Sequence, residues 1–444
     1  MALYLDIYNH FKNLIEEGVF SVGEPLPSIR QCCNTFKISK TTAQSAYFQL
    51  VANGYVISRN KSGFYVSEAN RKRVIKEPVI DSKESSSCKY DFSIVGDDPG
   101  AFPYDKWQKY MKSTMRRKDE LSTYGNRQGE LDLRIELSNY VRKKRNIYCT
   151  PDSIIIGSST QGLLRILLSL IKSSSLFKPI KDSVITASVP TESFSSYARV
   201  FEDYNMKVGF RNKEAQIIYV SPSHMTVWGE VMTQKRRHEL LLHSRANHFI
   251  IEDDYQSEFN FSKEGCPSIY SLCGGEKVAY IGSFSRVLLP SIRISYMILP
   301  KELLKEYSEQ GSFYDQGASK TEQLALCSFL RDNQLESHIR KIRRLYSSKR
   351  EILKTIVESL CLRLNETFPK GHFKALLGDS GTEYGIGFNN ENPDLVLAFL
   401  KSNNIKSILQ PLGDNEFILL FSCGVMDIKV LEEIGKIWNK RLEC

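Results

Sequence analysis

Ile281-Gly282-Ser283-Phe284-Ser285-Arg286-Val287-Leu288-Leu289-Pro290-Ser291-Ile292-Arg293 is a polar hairpin that closes the apolar run Val278–Ile281 and leads into a second, Ile294–Leu299. The hydroxyls of Ser283 and Ser285 and the guanidiniums of Arg286 and Arg293 crowd together where a buried strand ends. Short donors and fixed positive charge suit an anion, so the stretch reads as a phosphate cradle. Outward from it, from about residue 90, apolar strands alternate with amphipathic helices. That alternation predicts an α/β domain with a largely parallel sheet covered on both faces.

The same pattern marks further candidates. Ile154–Gly157 is a buried strand followed by Ser158-Ser159-Thr160 and the helix Leu163–Ile171; free amides at a helix start attract anions, and three hydroxyls reinforce them. Ile217–Val220 leads into Ser221-Pro222-Ser223-His224, and Phe249–Ile251 into Glu252-Asp253-Asp254-Tyr255. Carboxylates at the carboxyl end of a buried strand point into a site unless they serve a structural ion pair. If no ligand meets Asp253, it needs another cation, and Arg286 is the candidate by position.

Composition sets bounds. The chain has 444 residues, 25% charged and 41% hydrophobic, which is ordinary globular usage with room for two or three domains. No apolar run reaches the ~18 residues of a membrane span, and the start lacks a signal-peptide pattern, so a cytoplasmic protein without membrane contact is expected. Ten cysteines without a Cys-x-x-Cys spacing imply reduced thiols and no metal. Of the net charge of +9, residues 1–76 carry ten Lys/Arg against five Asp/Glu. A basic end is the electrostatic footprint of a polyanion partner.

Within that end, Leu3, Ile7, Phe11, Leu14 and Ile15 recur at helical spacing before Gly18. Ser28 is an N-cap for a short helix through Phe36. Ser39 caps a third helix with Ala43, Ala46, Tyr47, Leu50 and Val51 on one face and Gly54 at its C′ position. Tyr55–Arg59 and Phe64–Val66 then read as a basic hairpin. Three helices and a hairpin make a winged helix-turn-helix. Lys40, Thr41, Thr42, Gln44 and Ser45 form the outward, small and polar face that a major-groove helix needs. Residues 68–89, with Arg71-Lys72-Arg73 and Ser85-Ser86-Ser87, read as a linker.

Two resemblances join these readings. Leu26-Pro27-Ser28-x-Arg30, Ile38-Ser39-Lys40-x-Thr42, Ala46-Tyr47-x-x-Leu50 and Gly54-Tyr55-x-x-Ser58-Arg59 through Gly63-Phe64-Tyr65-Val66 resemble the reader head of GntR-type regulators. That resemblance implies double-stranded operator DNA as partner, with contacts from Ser28, Arg30, Ser39, Lys40, Thr41, Thr42, Gln44, Arg59, Lys61 and Gly63. Residues 90–444 resemble fold-type I aminotransferases in the form fused to such heads in the MocR subfamily. Tyr124-Gly125-x-x-Gln128-Gly129-x-x-x-Leu133-Arg134, Ser221-Pro222-Ser223-His224, Glu252–Phe259 and Gly282–Arg293 carry the likeness. It implies domains at 1–67, 68–89 and 90–444, the last split into a large domain to about 330 and a small one from 331.

The likeness also implies a pocket for pyridoxal phosphate: Ser158, Ser159, Thr160, Ser283, Ser285 and Arg293 at its phosphate, Asp253 at its ring nitrogen, Tyr255 at its hydroxyl, His224 beside it, and Phe194 or Tyr197 stacked on the ring. The family has lysine where this chain has Arg286. A guanidinium stays protonated and delocalised, so no Schiff base forms there. A late-strand arginine that grips substrate in active relatives is also missing, with Phe417 read in its place. The expectation is a homodimeric regulator whose aminotransferase-like domain is catalytically inactive and serves dimerisation, small-molecule sensing or both. The alternative is a working pyridoxal-phosphate aminotransferase carrying a DNA-binding head. No covalent cofactor is expected. Non-covalent pyridoxal phosphate or another anionic ligand is the less favoured branch, against a site shut by Arg286.

Overall fold

The computed structural model describes residues 3–59, 62–67, 88–174, 184–191, 194–262, 266–413 and 415–440. Two units, Met1–Ser87 and Cys88–Cys444, each carry their own core. The expected linker lies outside the described residues except for Cys88 and Lys89.

In the first unit the helices Leu3–Glu16, Ile29–Phe36 and Lys40–Ala52 precede an antiparallel hairpin, Val56–Arg59 with Gly63–Val66. Ile7, Phe11 and Ile15 meet Ala43, Ala46, Tyr47 and Leu50 in the core. Leu3, expected on that face, is exposed because its turn overshoots the core. Ser28 closes a capping box with Gln31, and the Ser39 side chain accepts from the Thr42 amide. Gly54, at φ +73°, follows the third helix where the sequence places a left-handed stop.

The second unit is built on a seven-stranded sheet in the order Ile154–Gly157, Ser295–Ile298, Val278–Ser283, Phe249–Asp253, Ile217–Val220, Thr186–Val189, Lys207–Phe210. Ser295–Ile298 runs against its two neighbours; the remaining strands run one way. Their carboxyl ends therefore share one edge, where Ser158, His224, Asp253 and Ser283 emerge, the place where such sheets bind ligands.

A second lobe packs helices on the antiparallel sheet Lys374–Leu376, Glu383–Asn389, Glu416–Ser422, Ile408–Gly413. The cores do not part at the expected residue 330. The 34-residue helix Gln334–Thr367 gives Leu335, Ile339, Ile342 and Tyr346 to the first core, and Leu353, Ile356, Val357 and Leu360 to the second. Tyr90–Asp91 pairs with Ile405–Lys406, and Tyr90 and Phe92 join the later core.

Backbone also joins the lobes. Gly378 donates to the Trp228 carbonyl at 3.1 Å, Ser380 to Gly229 at 3.0 Å, Gly381 to Phe259 at 3.1 Å, and Phe261 to Asp379 at 2.7 Å. The approach is so close that a Cβ on Gly229, itself at φ +85°, would sit 1.9 Å from the Ser380 oxygen. No helix among the described residues is long and apolar enough to cross a membrane.

Candidate functional site

The first unit presents its polar face on the third helix. Lys40, Thr41 and Ser45 are exposed, and Thr42 and Gln44 are half-buried. The hydroxyls of Thr41 and Thr42 each lie 2.8 Å from Ser39 Oγ, so these three residues build the helix start while Lys40 and Gln44 are left to reach outward. Arg30 is exposed at the second helix, and Ser28 is committed to its cap. On the wing, Arg59 lies over the Tyr65 ring at 4.6 Å, which braces its guanidinium at the surface. Gly63 pairs with Arg59 at φ +113°. Lys61 lies outside the described residues. A capped helix start flanked by fixed cations offers free amides and charge to a phosphate backbone.

In the second unit a cavity of about 330 Å³ opens at the sheet edge. Phe194, Tyr197, His224, Asp253 and Tyr255 line it from the large sheet, and Glu383, Gln410, Leu420 and Ser422 from the second lobe. Both aromatic candidates thus reach it, and Tyr197 stacks on Tyr219 at 4.9 Å and 26°. Tyr255 meets the edge of His224 at 5.4 Å.

Strand alternation divides the acidic run. Glu252 accepts the amides of Ile269 and Tyr270 at 2.9 and 2.8 Å, and Asp254 holds Arg145 at 2.6 Å together with Ser223 and Tyr280. Both are therefore structural; Asp253 points the other way, into the cavity. Among the described residues its side chain accepts one hydrogen bond, from the Tyr219 hydroxyl.

The expected Asp253–Arg286 pair is not formed. Arg286 turns away, its guanidinium 3.3 Å from Asp97, 3.2 Å from Glu383 and 3.0 Å from the Thr382 hydroxyl. Two carboxylates that no local pattern places here outweigh Asp253. Nor does Arg286 shut the site, because the cavity persists beside it.

The phosphate cradle is assembled, and its Thr160 meets the cavity-lining Tyr197. Gly157 and Ser283 both pair with Ser295, which brings the Ser158–Thr160 turn and the Ser283–Ser285 hairpin to one edge. Their hydroxyls serve one another: Ser283 Oγ lies 3.1 Å from Ser295 Oγ and 3.2 Å from Ser285 Oγ, and Ser159 accepts the Gly162 amide at 3.1 Å. Arg293 is exposed, and none of these residues lines the cavity. Phe417 lies on the strand Glu416–Ser422 of the second lobe. It stacks on Phe388 at 5.6 Å on the core face of its strand, whereas Leu420 and Ser422, on the opposite face, meet the cavity.

Covalent pyridoxal phosphate does not fit these residues. Its aldehyde needs a primary amine, no lysine lines the cavity among the described residues, and the group at 286 is a guanidinium held by two carboxylates and a hydroxyl.

Electrostatics sharpen the contrast. Burial pushes Asp253 up to about 7, against the Tyr219 hydrogen bond and with help from Asp254. Burial likewise lifts Asp97 to about 6 although Arg286 opposes it, and lowers His224 to about 4, leaving the imidazole neutral. Burial works against the Glu383 charge too, but Arg286, His224 and Thr382 hold its carboxyl below the usual range. Between the ordinary carboxylate value near 4 and those raised values, the folded chain binds protons that the unfolded chain has released. Asp97 and Asp253 therefore withdraw stability as pH rises from about 4 to 7. Urea midpoints should show that loss between pH 5 and pH 8, and Asp253→Asn should make it smaller.

Comparisons with known proteins converge on this architecture. Residues 3–66 match the gntR family of bacterial regulatory proteins. The chain is 33% identical over 378 residues to an uncharacterized HTH-type transcriptional regulator, YdeL, of Bacillus subtilis (strain 168), covering 81% of this chain and 80% of that protein. It is 25% identical over 385 residues to the probable rhizopine catabolism regulatory protein MocR of Rhizobium meliloti, covering 79% and 76%. An archaeal alanine:glyoxylate aminotransferase superposes on 83% of this chain and 95% of its own with a TM-score of 0.65 at 16% identity.

Proposed function

The chain belongs to the MocR subfamily of GntR-type transcriptional regulators, and on that premise we propose that its aminotransferase-like unit is a catalytically inactive sensor of a non-covalently held small molecule. DNA binding rests with the gntR-type head, and the fold of the second unit is that of an aminotransferase. The observation that carries the proposal is the state of Arg286. A delocalised guanidinium clasped by Asp97 and Glu383 can neither form an imine nor move the proton that transamination requires. The cavity beside it supports ligand sensing in place of chemistry. Homodimerisation is part of the proposal, since two heads on one symmetric body would read two half-sites.

The test is chemical and direct. Purified full-length protein mixed with pyridoxal phosphate and then borohydride should show no mass adduct and no amino-acid turnover; a fixed adduct on the chain would overturn the proposal. At the head, Lys40→Ala should weaken binding to any duplex by a similar factor and lower the slope of log affinity against log salt by about one, since one phosphate contact is lost. Fluorescence anisotropy across a salt series reads both.

A further inference from the structure

We propose that the cavity takes a small organic cation, a flat apolar body carrying a protonated nitrogen and lacking phosphate or carboxylate, which inverts the charge expected of a pyridoxal-phosphate pocket. This rests on the non-covalent sensing role proposed above. At 330 Å³ the cavity is at the small end of ligand sites, which run from about 300 to 1,000 Å³. Among the described residues its acidic lining is Asp253 and Glu383, with no lysine or arginine, and His224 beside them is neutral. Arg286, the nearest guanidinium by contact, is shared between Asp97 and Glu383, so one positive charge serves two negative ones.

Among the described residues Asp253 then has nothing but a tyrosine hydroxyl. A buried carboxylate without a cation is among the costlier states a fold can hold, and a ligand N–H⁺ relieves it directly. An anion would meet Asp253 with no lysine or arginine among the described lining residues to offset its lost hydration. The rest of the surface, from Phe194, Tyr197 and Leu420, suits a flat apolar body.

The experiment uses full-length protein and two probes that share one skeleton, tyramine and 3-(4-hydroxyphenyl)propionate, with pyridoxal phosphate as a third. Isothermal calorimetry should show tyramine binding, and either anion at least about tenfold weaker. Asp253→Asn keeps an acceptor for Tyr219 and should cost tyramine about tenfold. Val227→Lys, which sets a cation on the cavity wall, should reverse the preference, a result that general loosening of the fold does not produce. Equal or tighter binding of either anion, no binding of tyramine, or an Asp253→Asn protein with unchanged affinity overturns the inference. A borohydride-fixed pyridoxal adduct fails the sensing proposal instead, so the two failures are told apart.

Discussion

Arg286→Ala lowers the unfolding free energy of the second unit by about 3–5 kcal/mol, because it strands Asp97 and Glu383 in the interior without their cation. Both carboxylates are about nine-tenths shielded, as is the arginine. Water therefore does little to soften the loss. Arg286→Lys should recover part of it: an ammonium keeps the charge but cannot fork to Asp97, Glu383 and Thr382 together. Combining Arg286→Met with Asp97→Asn and Glu383→Gln should recover more, since it removes the unbalanced charges along with the cation. Urea titration of the second unit's transition reads all three. A midpoint indifferent to Arg286→Ala would mean that the two acids are wet.

Tyr47→Ala should unfold the head while leaving the second unit intact. Tyr47 is fully buried, donates to the Pro27 carbonyl at 2.7 Å, and meets Phe11 and Phe64 edge-on at 5.5 and 5.0 Å. Emptying an aromatic site of this kind costs about 3–5 kcal/mol, as much as a small domain has in total. DNA binding should vanish at every salt concentration, unlike the graded loss from Lys40→Ala. Tyr47→Phe, which sacrifices only the hydrogen bond, should cost about 1 kcal/mol and retain binding. The second unit, with its separate cores, should keep its own transition in both proteins.

The contrast between those two residues shows what the sequence could tell. Tyr47 was legible because local signals agree around it: Ser39 starts its helix, Gly54 ends it, and apolar spacing picks its face. The sheet was legible for the same reason, since each strand announces itself as an apolar run with a polar exit. Partners were not. Arg286 reaches Asp97 and Glu383, nearly two hundred positions upstream and a hundred downstream, and nothing local distinguishes those acids from their neighbours. Proximity of role suggested Asp253, but the side chain went where two carboxylates outweighed one. Phe417 shows a finer limit. Within a strand, a placement one residue out exchanges the core face for the cavity face, and only the pairing with Phe388 reveals which is which.

The main-chain stitching of residues 378–381 to 228–229, 259 and 261 bears on how a bound molecule could be felt elsewhere in the protein. Swinging the lobes apart like a clam would snap all four of those bonds. The body of this regulator is therefore riveted shut at its waist. Any message leaving the cavity travels by rearranged side chains and altered stiffness, with no wide opening of a jaw.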